Sequence, residues 1–158
     1  MSIKYIEPFV QAAQNVFHDF FGEEPVPLKP FLLRRDEEKA WELSGIIGIG
    51  GDSKGVVVVS LSARTAQRLT SRLVGREITE NNDDVMDTIG EVVNIIAGNA
   101  KKGLEQYRLM ISLPSIVSGS DHQVAWPAGI PIVGIPFSLS EGDFMLAVGL
   151  ENIIREEP

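Results

Sequence analysis

Within the run DDVMDTIGEVVNIIAGNAKKGLEQY, Asp83 to Tyr107, Glu91 and Asn94 stand three residues apart. That spacing sets a carboxylate and a carboxamide on one face of a helix. Asp87 and Gly98, each four residues farther out, extend the same face in both directions. Ile89, Val93, Ile96, Ala100 and Leu104 recur at spacings of three and four on another side, the pattern of a stripe buried against a sheet or a second helix. One face folds the chain and the other presents polar groups that a simple core helix does not need. Asn is a poor residue for a helix interior, and Gly90, Gly98 and Gly103 each cost about 1 kcal/mol relative to Ala in an exposed helix. Gly90 and Gly98 lie close to the Glu91 and Asn94 face, where a missing side chain lets another backbone approach. Contact with a partner and contact with a neighbour inside the same domain both fit this pattern, as does a plain solvated face.

Other constellations fail on chemistry. The segment Gly48 to Gly55 is glycine-rich, but it has neither phosphate-loop spacing nor a following helix N-terminus. A hairpin turn explains it better than a small-ligand site. His18 and His122 lack a second ligand at metal spacing and read as surface residues. Ser118, Ser120, Asp121 and His122 have the residue types of a nucleophilic triad, yet such groups must converge from separate elements, so a polar loop is expected. The absence of cysteine excludes disulfides and thiolate metal sites.

A chain of 158 residues, 44% hydrophobic and 23% charged, suits one well-packed domain spanning residues 1–158. A net charge of -8 argues against nucleic acid and anionic membrane as partners. With no leader-like N-terminus and no run of about 20 apolar residues, a cytoplasmic protein is expected. A helix is predicted over Ile3 to Phe21, with Ile6, Val10, Ala13, Phe17, Phe20 and Phe21 in period, Pro8 in its first turn and Gly22 as its stop. Pro25, Pro27 and Pro30 leave Leu28 to Arg34 as an edge strand or connector, and Arg34 to Lys39 reads as a solvated turn. Trp41 to Ile49 and Gly55 to Leu61 form a predicted hairpin, with Val56 to Val59 covered on both faces. Ser62 caps a helix reaching about Val74, with Ala66, Leu69 and Leu73 inward and Gly75 at its end, and Glu77 to Asp84 connects it to the long helix. A strand over Leu109 to Val117 is broken or held at an edge by Pro114, and Ser118 to His122 is the loop after it. Ile130 to Leu139 and Asp143 to Leu150 make a second hairpin around Glu141 and Gly142, before a charged tail, Arg155 to Pro158. Both halves run helix, proline-bearing segment, hairpin. A pseudo-symmetric α+β (mixed α/β) domain follows, with long helices packed on a mainly antiparallel sheet.

The stretch Asp87-Thr88-Ile89-Gly90-Glu91-Val92-Val93-Asn94, continued by IIAGNAKK and followed by Leu113-Pro114-Ser115-Ile116-Val117-Ser118-Gly119, resembles the signature of the CheX/CheC-type chemotaxis phosphatases. The segment GIIGIGGDSKGVVVVSLS is also similar to the first half of the CheX branch, so the resemblance covers nearly the whole chain. It implies a CheC-like fold and a protein aspartyl-phosphate phosphatase acting on a phosphorylated CheY-like response regulator in bacterial chemotaxis. By this resemblance Glu91 pairs with the receiver's active-site lysine and Asn94 positions the attacking water, while Asp87 has a supporting role. It further implies no cofactor of the chain's own, Mg²⁺ held by the receiver domain, and a homodimer. Members of the CheC branch carry a second Glu-x-x-Asn pair on the pseudo-symmetric helix. Here Glu7 is followed three residues later by Val10, so one site per chain is expected. The alternative is a non-catalytic receiver-binding module resembling the middle domains of flagellar switch proteins, and keeping both Glu91 and Asn94 favours the enzyme.

Overall fold

The computed structural model describes residues 5–34, 41–122 and 124–154, without the side chains of 120–122. Helix α1 (Glu7–Phe21) is followed by two short strands, β1 (Val26–Pro27) and β2 (Phe31–Leu32), then by the hairpin of β3 (Trp41–Gly51) and β4 (Gly55–Leu61). Helix α2 (Ala63–Val74) leads into α3 (Asp83–Lys102), after which β5 (Leu109–Ile111), β6 (Ser115–His122), β7 (Val133–Ser138) and β8 (Phe144–Leu150) complete the sheet. The strands pair antiparallel in the order β1-β7-β8-β4-β3-β5, with β2 also on β7 and β6 also on β3. The hairpins meet at the centre, where β4 runs against β8 from Gly55↔Leu150 to Leu61↔Phe144. Each half then lends its short strands to the hairpin of the other half. This is the expected pseudo-symmetric α+β arrangement.

Local chemistry accounts for the boundaries. Strand β4 has no polar residue between Val56 and Val59 because both of its faces are covered. Val57 and Val59 join the core under the helices, while Val56 and Val58 pack with Ile132 and Ala147 on the far side, next to Leu33, Trp126 and Ile130. The Ser62 side chain accepts a bond from the Thr65 N–H, and Gly75 ends α2 in the left-handed conformation that favours glycine. On α1, Pro8 lies in the first turn, where a missing N–H leaves no intrahelical bond unmade. The Phe17 ring stacks on Phe144 at 4.2 Å between centroids, and Phe144 stacks on Phe137 at 4.8 Å, which pins α1 to the second hairpin.

Several expectations need correction. The long helix ends at Lys102 instead of reaching Tyr107, because the chain turns at Gly103 against Pro8, though Leu104 stays buried. Leu73 is exposed, since the inward side of α2 runs through Thr65, Ala66, Leu69 and Thr70. The hydroxyls of Thr65 and Thr70 reach the Glu141 and Ala66 carbonyls, so two polar residues replace an apolar one on that side. On α1 the buried set includes Phe9, Ala12 and Val16, whereas Val10 and Phe20 are half-buried. Ser118 to His122 is strand, not loop: β6 pairs along β3 to Trp41↔His122, with an irregularity between Trp41 and Leu43. Its polar side chains disguised an edge strand. Strand β7 begins at Val133 instead of Ile130, because Pro131 has no N–H to donate. The helix start at Ile3, most of the Arg34 to Lys39 turn and the tail Arg155 to Pro158 lie outside the described residues.

Helix α3 crosses the sheet at Gly45 of β3. A Cβ there would lie 3.1 Å from Ile89 Cγ2 and Val93 Cγ1 and 3.3 Å from the Ile89 carbonyl oxygen. The glycines of the helix itself divide by environment. A Cβ on Gly103 would meet Pro8 Cβ at 2.9 Å, so Gly103 admits a neighbour within the fold. One on Gly90 would make ordinary contacts of 3.6 and 3.7 Å with Ile116 and Pro114, and one on Gly98 would meet nothing within 4 Å. At the other end of the helical layer, the Glu23 carboxylate accepts the Ser140 N–H at 2.9 Å and its hydroxyl at 2.6 Å, and Arg72 reaches both Glu23 and Glu141. The two bonds from Ser140, with Arg72 beside them, hold the Glu23 carboxyl below its ordinary value.

Gly45→Val is expected to lower the unfolding free energy by about 1–3 kcal/mol through overpacking beneath α3, as read by urea denaturation. In the same measurement Gly98→Ala raises stability by up to about 1 kcal/mol, the helix-propensity gain, whereas Gly103→Ala lowers it against Pro8. Because the folded-state pKa of Glu23 is depressed, its contribution is present above the unfolded value, near 4.5, and is lost as pH falls through the folded value. The stability gap between wild type and Glu23→Gln should therefore be open at pH 7 and close in acid, as followed by urea unfolding at a series of pH values.

Candidate active site on the long helix

Helix α3 is fixed at both ends and along one side before its polar face comes into play. Asn82 caps it by accepting the Val85 N–H at 3.1 Å, and Arg76 forms an ion pair with Asp84 across the entry to the helix. Asp83 and Asp84 lie in its first turn and Lys101 and Lys102 in its last, each matching the sign of the helix dipole. Ile89, Val93, Ile96 and Ala100 are fully buried, as the apolar stripe predicts. With that side locked on the sheet, Asp87 and Glu91 are exposed and Asn94 is half-buried.

These three residues and Gly90 line one open groove of about 460 Å³, whose remaining walls are Met86, Leu113, Pro114 and Ile116. The wall comes from the break between β5 and β6, where Pro114 interrupts the ladder on β3 and rests with Ile116 over Gly90. Neither Glu91 nor Asn94 has a side-chain hydrogen bond or ion-pair partner among the described residues. Asp87 has none either, so three polar groups face the groove without an internal use. A carboxamide presents two N–H donors and a carbonyl acceptor, so Asn94 can hold a water by both kinds of bond. Gly98 falls outside this group. It lines the next groove along the helix, of about 880 Å³, with Lys101, Glu105, Arg108 and Asp52 among its walls. Met86, Leu113 and Ile116 were not recognised as groove walls from the sequence. The signal for them was Pro114, whose break in a β run obliges the chain to leave the sheet beside whatever packs there.

The discounted constellations have structural uses. The Asp52 carboxylate accepts the Arg108 N–H at 2.7 Å and the Asp52 N–H donates to the Arg108 carbonyl at 2.8 Å, so the glycine-rich turn fastens the start of β5. The Ser53 hydroxyl donates to the Glu151 carbonyl at 2.8 Å. His18 is exposed beside Asp19, while the side chains of Ser120, Asp121 and His122 lie outside the described residues. Among the described residues, no group of three or more His, Asp or Glu converges as a metal site, and no helix is long and apolar enough to cross a membrane.

The family model for the chemotaxis phosphatase CheX matches residues 43–138, which include most of β3, all of α3 and the proline-bearing strand. The CheY-P phosphatase CheX of Thermotoga maritima is 28% identical over 156 residues, 96% of this chain and 99% of that protein. Among solved structures, a CheC-like superfamily protein from Shewanella sp. PV-4 superposes with a TM-score of 0.87 at 25% identity, covering 96% of this chain and 100% of its own. A chain of the CheX-CheY-BeF₃-Mg²⁺ complex from Borrelia burgdorferi superposes with a TM-score of 0.79 at 28% identity, covering 92% of this chain and 97% of its own. The matched segment holds both Glu91 and Asn94 and the strands that seat their helix, and this chain belongs to the chemotaxis phosphatase CheX family.

Proposed function

We propose that this chain hydrolyses the aspartyl phosphate of a phosphorylated CheY-like receiver domain, with Glu91 docking the helix and Asn94 orienting the attacking water. The observation that carries this reading is the position of Glu91 and Asn94, without a side-chain partner among the described residues, in an open groove on a helix that the core holds still. It is supported by a CheX relative described as a CheY-P phosphatase and by another seen with CheY, BeF₃ and Mg²⁺, where the beryllofluoride stands in for a phosphoryl group.

In the proposed reaction the chain brings only half of the chemistry. Glu91, at the exposed rim, pairs with the receiver's active-site lysine and sets the register of α3 over the phosphorylation site. Asn94, one helical turn farther along, then enters that site and holds a water in line with the phosphorus. Charge neutralisation at the phosphoryl oxygens comes from the receiver's Mg²⁺, which needs no ligand from this chain. Water forms the new P–O bond, the bond to the aspartyl oxygen breaks, and the products are inorganic phosphate and the regenerated carboxylate. Phosphoryl transfer depends chiefly on positioning and electrostatics, so a carboxamide can act here without serving as a base, as Gln does in GTPases. Asp87, one turn before Glu91, supports the docking contact.

The test follows phosphate loss from a CheY-type receiver with wild-type protein, Asn94→Ala and Glu91→Ala. Wild type should accelerate the loss, and Asn94→Ala should reduce that acceleration by about 100-fold or more, the scale of a lost transition-state hydrogen-bonding group. Glu91→Ala should act mainly by raising the receiver concentration needed for half-maximal rate. Equal and negligible acceleration by all three proteins would refute the enzyme reading, and full activity in Asn94→Ala would refute the assigned role.

A further inference from the structure

We propose that Leu113 is a specificity-determining residue for the receiver: a fixed apolar contact at the rim of the groove that packs on an apolar side chain at the mouth of the partner's phosphorylation site. This inference rests on the phosphatase reading above. Leu113 is 87% exposed and lines the same groove as Asp87, Glu91 and Asn94. A single exposed leucine is ordinary on a protein surface. What sets this one apart is how its backbone is held.

On its N-terminal side, the Ser112 N–H donates to the Gly48 carbonyl at 2.9 Å, and the Ser112 hydroxyl accepts the Gly48 N–H at 2.9 Å. The same hydroxyl donates to the carbonyl of Leu113 itself at 2.9 Å, which fixes the peptide plane leaving the leucine. On its C-terminal side, Pro114 confines the backbone and rests over Gly90 of α3. Leu113 is thus clamped between the sheet and the catalytic helix while its side chain stands in water. Met110, exposed at 64%, is also held, by its pairing with Gly50 in the sheet, but it does not line the groove.

With its backbone already held, Leu113 loses only side-chain rotamer freedom on association, so more of the gain from burying its apolar surface appears as affinity than on a free loop. Its place beside the two polar residues means that a receiver cannot seat Glu91 and Asn94 without also meeting Leu113. The polar pair recognises what every phosphorylated receiver presents, a phosphoryl group and a lysine. Leu113 distinguishes receivers by whether the surface beside that site is apolar.

The experiment measures the Kd of a CheY-type receiver activated with beryllofluoride and Mg²⁺ for wild type, Leu113→Asn and Leu113→Met, with turnover of the phosphorylated receiver in parallel. Asparagine is close in size to leucine but polar, and a thermal melt of each variant confirms an unchanged fold. Leu113→Asn should weaken binding about tenfold, the scale of burying part of a leucine side chain, and raise KM in proportion with kcat within about twofold. Leu113→Met should recover most of the affinity. A Kd for Leu113→Asn within twofold of wild type would overturn the proposal, as would a fall in kcat without a change in Kd. Binding by wild type without acceleration of phosphate loss would overturn the phosphatase reading alone, leaving Leu113 to be judged by Kd. No binding by wild type would overturn both.

Discussion

Helix α3 sits on the sheet where β3 presents no side chain. Gly45 lets the Ile89 carbonyl and the branches of Ile89 and Val93 come down to the strand, at distances a Cβ would already crowd. The depth of that contact sets the roll of the helix about its axis, because Ile89, Val93, Ile96 and Ala100 must all face the same floor. Once the roll is set, Asp87, Glu91 and Asn94 have only one direction left. The groove wall depends on the same seating: Pro114 and Ile116 reach the helix at Gly90, one turn from Glu91, because β6 pairs with β3 through Gly45↔Ile116. Floor, helix and wall share a single strand.

The pseudo-two-fold arrangement shows why the proposed chemistry falls to α3 and not to α1. Helix α1 repeats the burial pattern of α3, with Phe9, Ala13 and Val16 inward where α3 has Val93, Ala97 and Ala100. In that correspondence Glu7 stands opposite Glu91, but Val10 stands opposite Asn94. Val10 is half-buried and packs against the core, so the position that offers a carboxamide on α3 contributes to folding on α1. Helix α1 keeps the scaffold role of α3 without its polar tip.

Much of this was legible in the sequence because period and punctuation agreed. The alternating and continuous apolar runs placed both hairpins, Ser62 and Gly75 bounded α2, and Pro114 broke the strand it falls in. The juxtaposition of Asp87, Gly90, Glu91 and Asn94 followed from helical spacing alone. Features that depend on tertiary contact were not legible. The polar strand from Ser118 to His122 looked like a loop because its pairing partner, β3, is far away in sequence. The helical pattern runs on to Tyr107, but Pro8, from the other half of the chain, meets Gly103 and α3 ends at Lys102. Gly98 shares the helical face, yet the groove ends before it, since the wall of Pro114 and Ile116 meets the helix at Gly90 and nothing packs over Gly98. Pro114 is the sole local sign of the place of Leu113, and the hold on its backbone depends on bonds from Ser112 to Gly48 across the sheet.

The proposed reaction divides a catalytic site between two proteins, and the division suits the chain's own electrostatics. In a protein with a formal charge of -8, Asp87 and Glu91 put negative charge on the groove where the proposed reaction needs a cation on the partner, and the neutral amide of Asn94 is the group set to approach the phosphoryl. In the proposed reaction, the placement of Asn94 depends on the pairing of Glu91 with the receiver's active-site lysine. A double-mutant cycle measures it directly: Kd of the beryllofluoride-activated receiver for wild type and Glu91→Ala, each against the receiver with and without its lysine replaced by alanine. The account predicts a coupling of about 1 kcal/mol or more, the two single losses failing to add. Strict additivity would contradict it.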